Sequence, residues 1–162
     1  MALDAYLKLK GQQTGDIKGG VIKKGREGRI AVIAVSHEIV SPRDVATGQA
    51  TGKRQHKPFV ITKEIDQSSP RLYGALANNE VMTEWELQFW APQNIGVGPS
   101  GEAVLRYTVT LTSASIASIA FRMANNKDSE LANRAEYEEI AFTYQAIEWN
   151  WKLGNVAMTD NW

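Results

Sequence analysis

The octapeptide TEWELQFW, Thr83 to Trp90, alternates side chains without a break, Trp85, Leu87 and Phe89 against Glu84, Glu86 and Gln88. Only an extended strand places every second residue on one face, so this stretch is a β-strand with one face on a core and the other outward. The same period recurs along the chain. Leu3, Ala5, Leu7 and Leu9 oppose Asp4, Tyr6, Lys8 and Lys10, and Leu105, Tyr107, Val109 and Leu111 oppose Arg106, Thr108, Thr110 and Thr112. RIAVIAVSHEIV reads as a further strand, with Ala31, Ile33, Val35 and Ile39 assigned to the core and Ile30, Val32, Ala34, Ser36 and Glu38 to a mostly small outward face. KPFVITKEI adds another, β-branched and aromatic at its centre. In IAFTYQAIEWNW the apolar parity changes between Tyr144 and Ile147, which predicts a β-bulge within one strand.

The punctuation between strands sets the rest. Pro92 and the Gly/Pro-rich NIGVGPSG end one strand, DIKGGVIKKGREG is a long connection or ragged edge, and the polar insert around Asn125 to Glu139 is a loop with a turn of helix. Ser69 followed by Pro70 predicts a helix start, with the serine capping an orphan N–H; Arg71, Leu72, Tyr73 and Leu76 follow before Asn78 and Asn79 end the element. The expected fold is therefore mainly β: a compact antiparallel β-barrel or sandwich with one short α-helix and a long extended inter-strand loop, spanning residues 1–162 as a single domain.

Charge narrows the function. Eighteen Lys and Arg balance eighteen Asp and Glu, which removes the global field of a typical nucleic-acid or anionic-membrane binder. The distribution is uneven: residues 1–81 hold 13 cations and 8 anions, residues 82–162 hold 5 and 10. Such halves suit a head-to-tail contact between copies as well as internal neutralisation. With no cysteine, thiolate chemistry and disulfide staples are excluded. No segment approaches the roughly 18 apolar residues of a membrane span, and the first residues lack a basic n-region and an apolar run, so synthesis in the cytoplasm without a cleavable signal is expected.

Candidate chemistry is sparse. His37 and His56 are the only histidines, far apart in sequence and without a Cys or a close carboxylate pair, so no metal or other cofactor is expected. Ser36 and His37 are adjacent on a strand and point to opposite faces, which rules them out as nucleophile and base. Glu136, Glu138 and Glu139 read as a solvated acidic face. No enzyme is expected.

The stretch between Val40 and Pro58 is different: 17 residues where a hairpin normally needs two to five. Pro42, Thr47, Gly48, Thr51 and Gly52 favour tight turning, and Arg43, Lys53, Arg54, Gln55, His56 and Lys57 offer charged and polar contacts. Two readings fit: an arm reaching a neighbouring subunit, or a basic-arm nucleic-acid-binding module. The second lacks an exposed aromatic interleaved with the cations.

GRIAVIAVSHEI, TGKRQHKPFVITKEIDQSSPRLYGAL and MTEWELQFW, in that order and spacing, resemble the haemolysin co-regulated protein (Hcp) family of the bacterial type VI secretion system. The resemblance implies a non-enzymatic tube subunit: six copies closing into a ring, rings stacking into a tube driven out of the cell, and small effectors riding in the lumen. Partners would be further copies of itself, sheath and tip proteins, and effectors, with no nucleic acid and no membrane. The segment Ser41 to Lys57 would dock on the adjacent subunit. The helix around Pro70 to Asn78 would face the sheath, and Val32, Ala34, Ser36 and Glu38 would line the channel or abut a neighbour.

Overall fold

The computed structural model describes residues 4–92 and 103–162, so Leu3 and the NIGVGPSG turn lie outside the described residues. In chain order the elements are β1 (Asp4–Gly11), β2 (Gly15–Ile17), β3 (Ile30–Val32), β4 (Ala34–Ser36), β5 (Ile39–Val40), β6 (Gln55–His56), β7 (Phe59–Glu64), α1 (Ser69–Ala77), β8 (Val81–Pro92), β9 (Ala103–Thr112), β10 (Ala114–Arg122), β11 (Tyr137–Thr143), β12 (Ala146–Trp151) and β13 (Val156–Asn161). All the strand pairs are antiparallel.

The long strand β8 organises the sheet. One edge pairs with β1 (Leu87 opposite Leu7); the other is shared between β9 (Leu87 opposite Val109) and, at the N-terminal end, β10 (Met82 opposite Ala114). From β10 the sheet continues through β11 and β7 to β4. Closure depends on residues 30–36. Here β3 pairs with β1 while β4 pairs with β7, and between them the Ile33 N–H donates to the Thr62 carbonyl at 2.8 Å. The circuit β1, β8, β10, β11, β7, β4/β3 is thereby complete, and β9, β12 and β13 extend from β8 as a flap.

That closure explains a correction. Ile30 and Val32 lie opposite Leu7 and Ala5 and are buried, whereas Val35, although opposite the fully buried Ile61, is itself 38% exposed. Ile33, 57% exposed, acts as an extra residue at the handover, so the inward parity changes there. Of the expected core set, Ala31, Ile33 and Val35 are exposed and Ile39 is half-buried. Val32 is core, not channel surface.

The core centres on Trp85, whose ring meets Phe59 at 5.1 Å and Phe142 at 5.5 Å edge-on, surrounded by Leu7, Ile61, Leu87, Ile140 and Ile147. Three outward assignments on β1, β8 and β9 fail, since Tyr6, Gln88 and Thr108 are also buried. The parity change in IAFTYQAIEWNW is no bulge. It is the boundary between β11, which belongs to the barrel wall, and β12, which belongs to the flap.

On α1, Leu72 and Ala75 are buried and Leu76 partly so, while Arg71 and Tyr73 face outward. The start of the helix departs from expectation. Ser68 occupies the N-cap without a side-chain cap bond, and Ser69 is spent elsewhere: its hydroxyl donates to Glu138 at 2.8 Å and accepts from the Lys63 ammonium at 3.0 Å. Lys63 and Glu138 are fully buried and 2.8 Å apart, joining β7 to β11 and both to the head of α1. Glu138 is thus no part of a solvated acidic face.

A buried pair of this kind contributes little net stability but is costly to break; Asp66, 3.0 Å from the Lys63 ammonium and partly exposed, offsets only part of a lost Glu138. Glu138→Ala is expected to lower the unfolding free energy by about 3–5 kcal/mol in urea titrations. The double variant Lys63→Met, Glu138→Leu should recover most of that loss. A single variant within about 1 kcal/mol of the wild type would show that the pair does not hold the helix to the wall.

Candidate functional site

The 17-residue excursion is a two-stranded ribbon. β5 and β6 pair at its base (Ile39 opposite His56), the Lys57 N–H donates to the Glu38 carbonyl at 3.0 Å, the Thr51 N–H to Pro42 at 2.9 Å, and Arg43 bridges Ala50. Asp44 makes the tip. Its carboxylate accepts from the Thr47 N–H at 2.8 Å, the Ala46 N–H at 2.9 Å and the Thr47 hydroxyl at 3.0 Å, and these bonds, the Thr47 N–H foremost, hold the carboxyl below its usual range. Gly48, at φ 72°, takes the left-handed turn that a Cβ disfavours. Each leg runs about 17 Å from base to tip at strand rise.

Every residue from Val45 to Gln55 is exposed, and the barrel takes hold of the ribbon at Arg54. Its root is fastened firmly. The Arg54 guanidinium grips Asp160 on β13 with both forks, Nε to Oδ2 at 2.5 Å, and reaches the Asn161 carbonyl at 3.0 Å. His56, buried beneath the ribbon, has Nε2 2.9 Å from Asp160 Oδ2 and Nδ1 2.9 Å from the Tyr144 hydroxyl, and that hydroxyl lies 2.7 Å from Nε2 of His37. Trp162 stacks on the His56 ring at 5.5 Å.

One proton arrangement satisfies this chain with a neutral His56. Its Nε2–H donates to Asp160, its Nδ1 accepts from the Tyr144 hydroxyl, and the Tyr144 oxygen accepts from His37 Nε2–H. Burial, reinforced by the Asp160 charge, pushes the Tyr144 phenol up to about 12, and burial lowers His37. The Arg54 guanidinium, followed by His56, draws Asp160 down to about 2. The arrangement is a fastening: it presents no nucleophile beside a base.

The expected arm residues therefore divide. Pro42, Arg43, Thr47, Gly48, Thr51, Gly52 and Lys53 belong to the projecting ribbon, and Lys57 is exposed at its base. Arg54 and His56 are engaged within their own chain, and the two histidines far apart in sequence meet at one phenol. That takes Arg54 and His56 from the cationic patch a nucleic-acid module would use, leaving Arg43, Lys53 and Lys57. Ala34, Ser36 and Glu38 are exposed, as a surface role requires, and Val32 is not. Asp160, Tyr144 and Trp162 escaped the sequence reading because their partners lie about a hundred residues away; no local spacing signals them.

Among the described residues, no group of three His, Cys, Asp or Glu could hold a metal ion, and no helix is long and apolar enough to cross a membrane.

Residues 6–151 match the family model described as "Type VI secretion system effector, Hcp". The sequence is 33% identical, over an alignment 171 positions long with gaps, to the major exported protein of Pseudomonas aeruginosa, spanning all of this chain and 96% of that protein. Among solved structures, a mutant form of Hcp1 from the E. coli EAEC 042 pathovar superposes with a TM-score of 0.84 at 32% identity, covering 99% of both chains. The secreted protein Hcp3 of Pseudomonas aeruginosa gives 0.77 at 28%, again covering 99% of each.

The fastening has a pH signature. Asp160 titrates lower folded than its ordinary 3.8, so the stability it contributes is complete above about pH 4 and is lost as pH falls toward 2. The Asp160 carboxyl carbon, followed by NMR, should titrate near 2 in the wild type and move up in Arg54→Ala. A wild-type midpoint near the ordinary value would mean that the arm root is not held by this carboxylate.

Proposed function

The chain belongs to the Hcp family of type VI secretion system proteins, and from that premise we propose that it is the structural subunit of a secretion tube, built of hexameric rings that stack into a hollow cylinder expelled from the cell. The observation that carries this reading is the ribbon of residues 41–54. It is ordered by its own hydrogen bonds, anchored at its root by Asp160, and exposed at every residue from Val45 to Lys53. An isolated two-stranded ribbon is marginal in water, so an arm of this build is explained by a surface it lies on elsewhere.

A ring places one patch against a different patch on the next copy, so the arm of each subunit serves as the donor and some other surface as the receiver. The exposed cations Lys53 and Lys57 cannot hold such a ring alone, because an exposed ion pair contributes about 0–1 kcal/mol. Sheath and tip proteins of the secretion machine are the expected outer partners, with Arg71 and Tyr73 on α1 available to them. The work of this subunit is mechanical, and no catalytic role is assigned to it. Export follows from being part of the exporting machine.

Native mass spectrometry at micromolar concentration is expected to give six times the chain mass. Replacing residues 42–53 by a short Gly-Ser turn should keep the barrel, read by circular dichroism, and give monomers. Monomers alone from the wild-type chain would contradict the reading.

The lumen role rests on Ala34, Ser36 and Glu38, small or polar groups on and just after the barrel edge β4. Ser36→Arg is expected to leave ring mass unchanged and to reduce recovery of a small effector co-purified with the rings. Unchanged recovery would remove Ser36 from the cargo surface.

A further inference from the structure

Two imidazoles share one phenol at the foot of the ribbon. His37, just after β4, is half-buried; His56 on β6 and Tyr144, between β11 and β12, are buried. The Tyr144 hydroxyl lies 2.7 Å from His37 Nε2 and 2.9 Å from His56 Nδ1, and the far side of the His56 ring meets Asp160 on β13 at 2.9 Å. Phe59 lies tilted against His37, and Trp162 stacks on His56. The charged groups around the pair are few. Glu38 adjoins His37 and Lys57 adjoins His56 in sequence, both exposed, and Arg54 holds the same Asp160 carboxylate that His56 touches.

A hydroxyl has one hydrogen to give and lone pairs to receive with. With both rings neutral, His37 Nε2–H donates to the Tyr144 oxygen, the phenol hydrogen goes to His56 Nδ1, and His56 Nε2–H goes to Asp160. One further proton is absorbed without breaking a contact. It adds to Nδ1 of the half-buried His37, the Nε2 hydrogen of that ring passes to the Tyr144 oxygen, and the phenol's original hydrogen passes to His56 Nδ1. The charge thereby ends on the buried ring beside the Asp160 carboxylate, and both bonds to the phenol survive with donor and acceptor exchanged. A second proton has no such route. Placed on His37 Nε2, it points two imidazolium N–H groups at one oxygen, sets two positive rings against each other, and leaves the phenol hydrogen without an acceptor.

We propose that the His37–Tyr144–His56 bridge is a proton-operated latch inside the chain, closed with no added proton or with one and opened by the second in mild acid. All its members belong to one molecule, so the inference does not depend on the ring reading. His56 lies in the second leg of the ribbon, while Asp160 and Trp162 belong to the end of the flap, so opening parts residues 53–58 from β13. Arg54 still faces an ionised Asp160 at that pH, but Arg54 is exposed and such a pair holds weakly by itself. The sign follows from burial, which makes His37 bind its proton less readily folded than free. The latch is therefore at full strength above the ordinary imidazole value of 6.5 and weakens as pH falls below it. Asp160 lets go only near 2, so the two acid steps are well separated.

Hydrogen exchange of the full chain, read by mass spectrometry and corrected for the intrinsic pH dependence of amide exchange, tests this. Peptides covering 53–58 and 156–162 should keep their protection down to about pH 6.5 and then lose it by about tenfold per pH unit, while those from β8 stay protected. In His37→Gln, whose carboxamide can still donate to the phenol but takes no charge, the same peptides should stay protected until Asp160 titrates. Wild-type protection that lasts to that point, or equal loss in both proteins, would overturn the latch. A second reading needs no variant. Ring-nitrogen NMR of the wild type should show the His37 hydrogen moving from Nε2 to Nδ1 as the first proton binds; a ring that keeps Nε2–H until it is doubly protonated would overturn the bridge.

Discussion

A curled sheet becomes a barrel only when its two ends share a strand, and here residues 30–36 do that work by starting on β1 and finishing on β7. The handover at Ile33 shifts the inward parity, so Ile30 and Val32 seal one side of the core and Val35 faces Ile61 on the other. With that seam shut, Trp85, Phe59 and Phe142 pack in a closed interior, and the Lys63–Glu138 pair locks α1 to the wall. The barrel needs no neighbour to complete its core.

What closure leaves over is what assembly can use. Directly after the seam the chain enters the arm, and the far side of β8 carries the flap of β9, β12 and β13, outside the barrel circuit. Asp160 connects the two, holding the arm root at one end of β13 while the other end stays bare. The paired carboxylate fixes the direction in which the ribbon leaves the molecule; its exposed residues then make no demand on the fold. A rigid body with a fixed projecting limb is the geometry a repeating ring requires, since a limb free to swing would pay its ordering entropy at every contact.

Legibility in the sequence followed how one-sided each strand is. β8 and β9 alternate apolar with polar side chains, and Trp85, Leu87, Val109 and Leu111 are buried as that reading requires; Phe89, Leu105 and Tyr107 are half-buried, and Gln88, which accepts from Arg29, and Thr108 are buried on the other parity. In residues 30–36 both parities are apolar or small, so pattern alone does not choose between them: Ile30 and Val32 are buried, while Ala31, Ile33 and Val35 are exposed. The β10 strand ASIASIAFR gave no reading because Ala and Ser populate both of its faces, and β13 gave none because both of its faces are exposed. The arm was legible from length and turn chemistry. Its anchor was not: Asp160 and Tyr144 are ordinary residues in ordinary strands until the fold brings His56 to them.

The central claim is that a self-contained barrel lends its arm to another copy. A cryo-EM reconstruction of the assembled particle, viewed along its axis, tests it most directly. A closed ring in which the density for residues 42–53 crosses from each subunit onto the next is the predicted result; arms lying back on their own barrels, or particles without a ring, would contradict it.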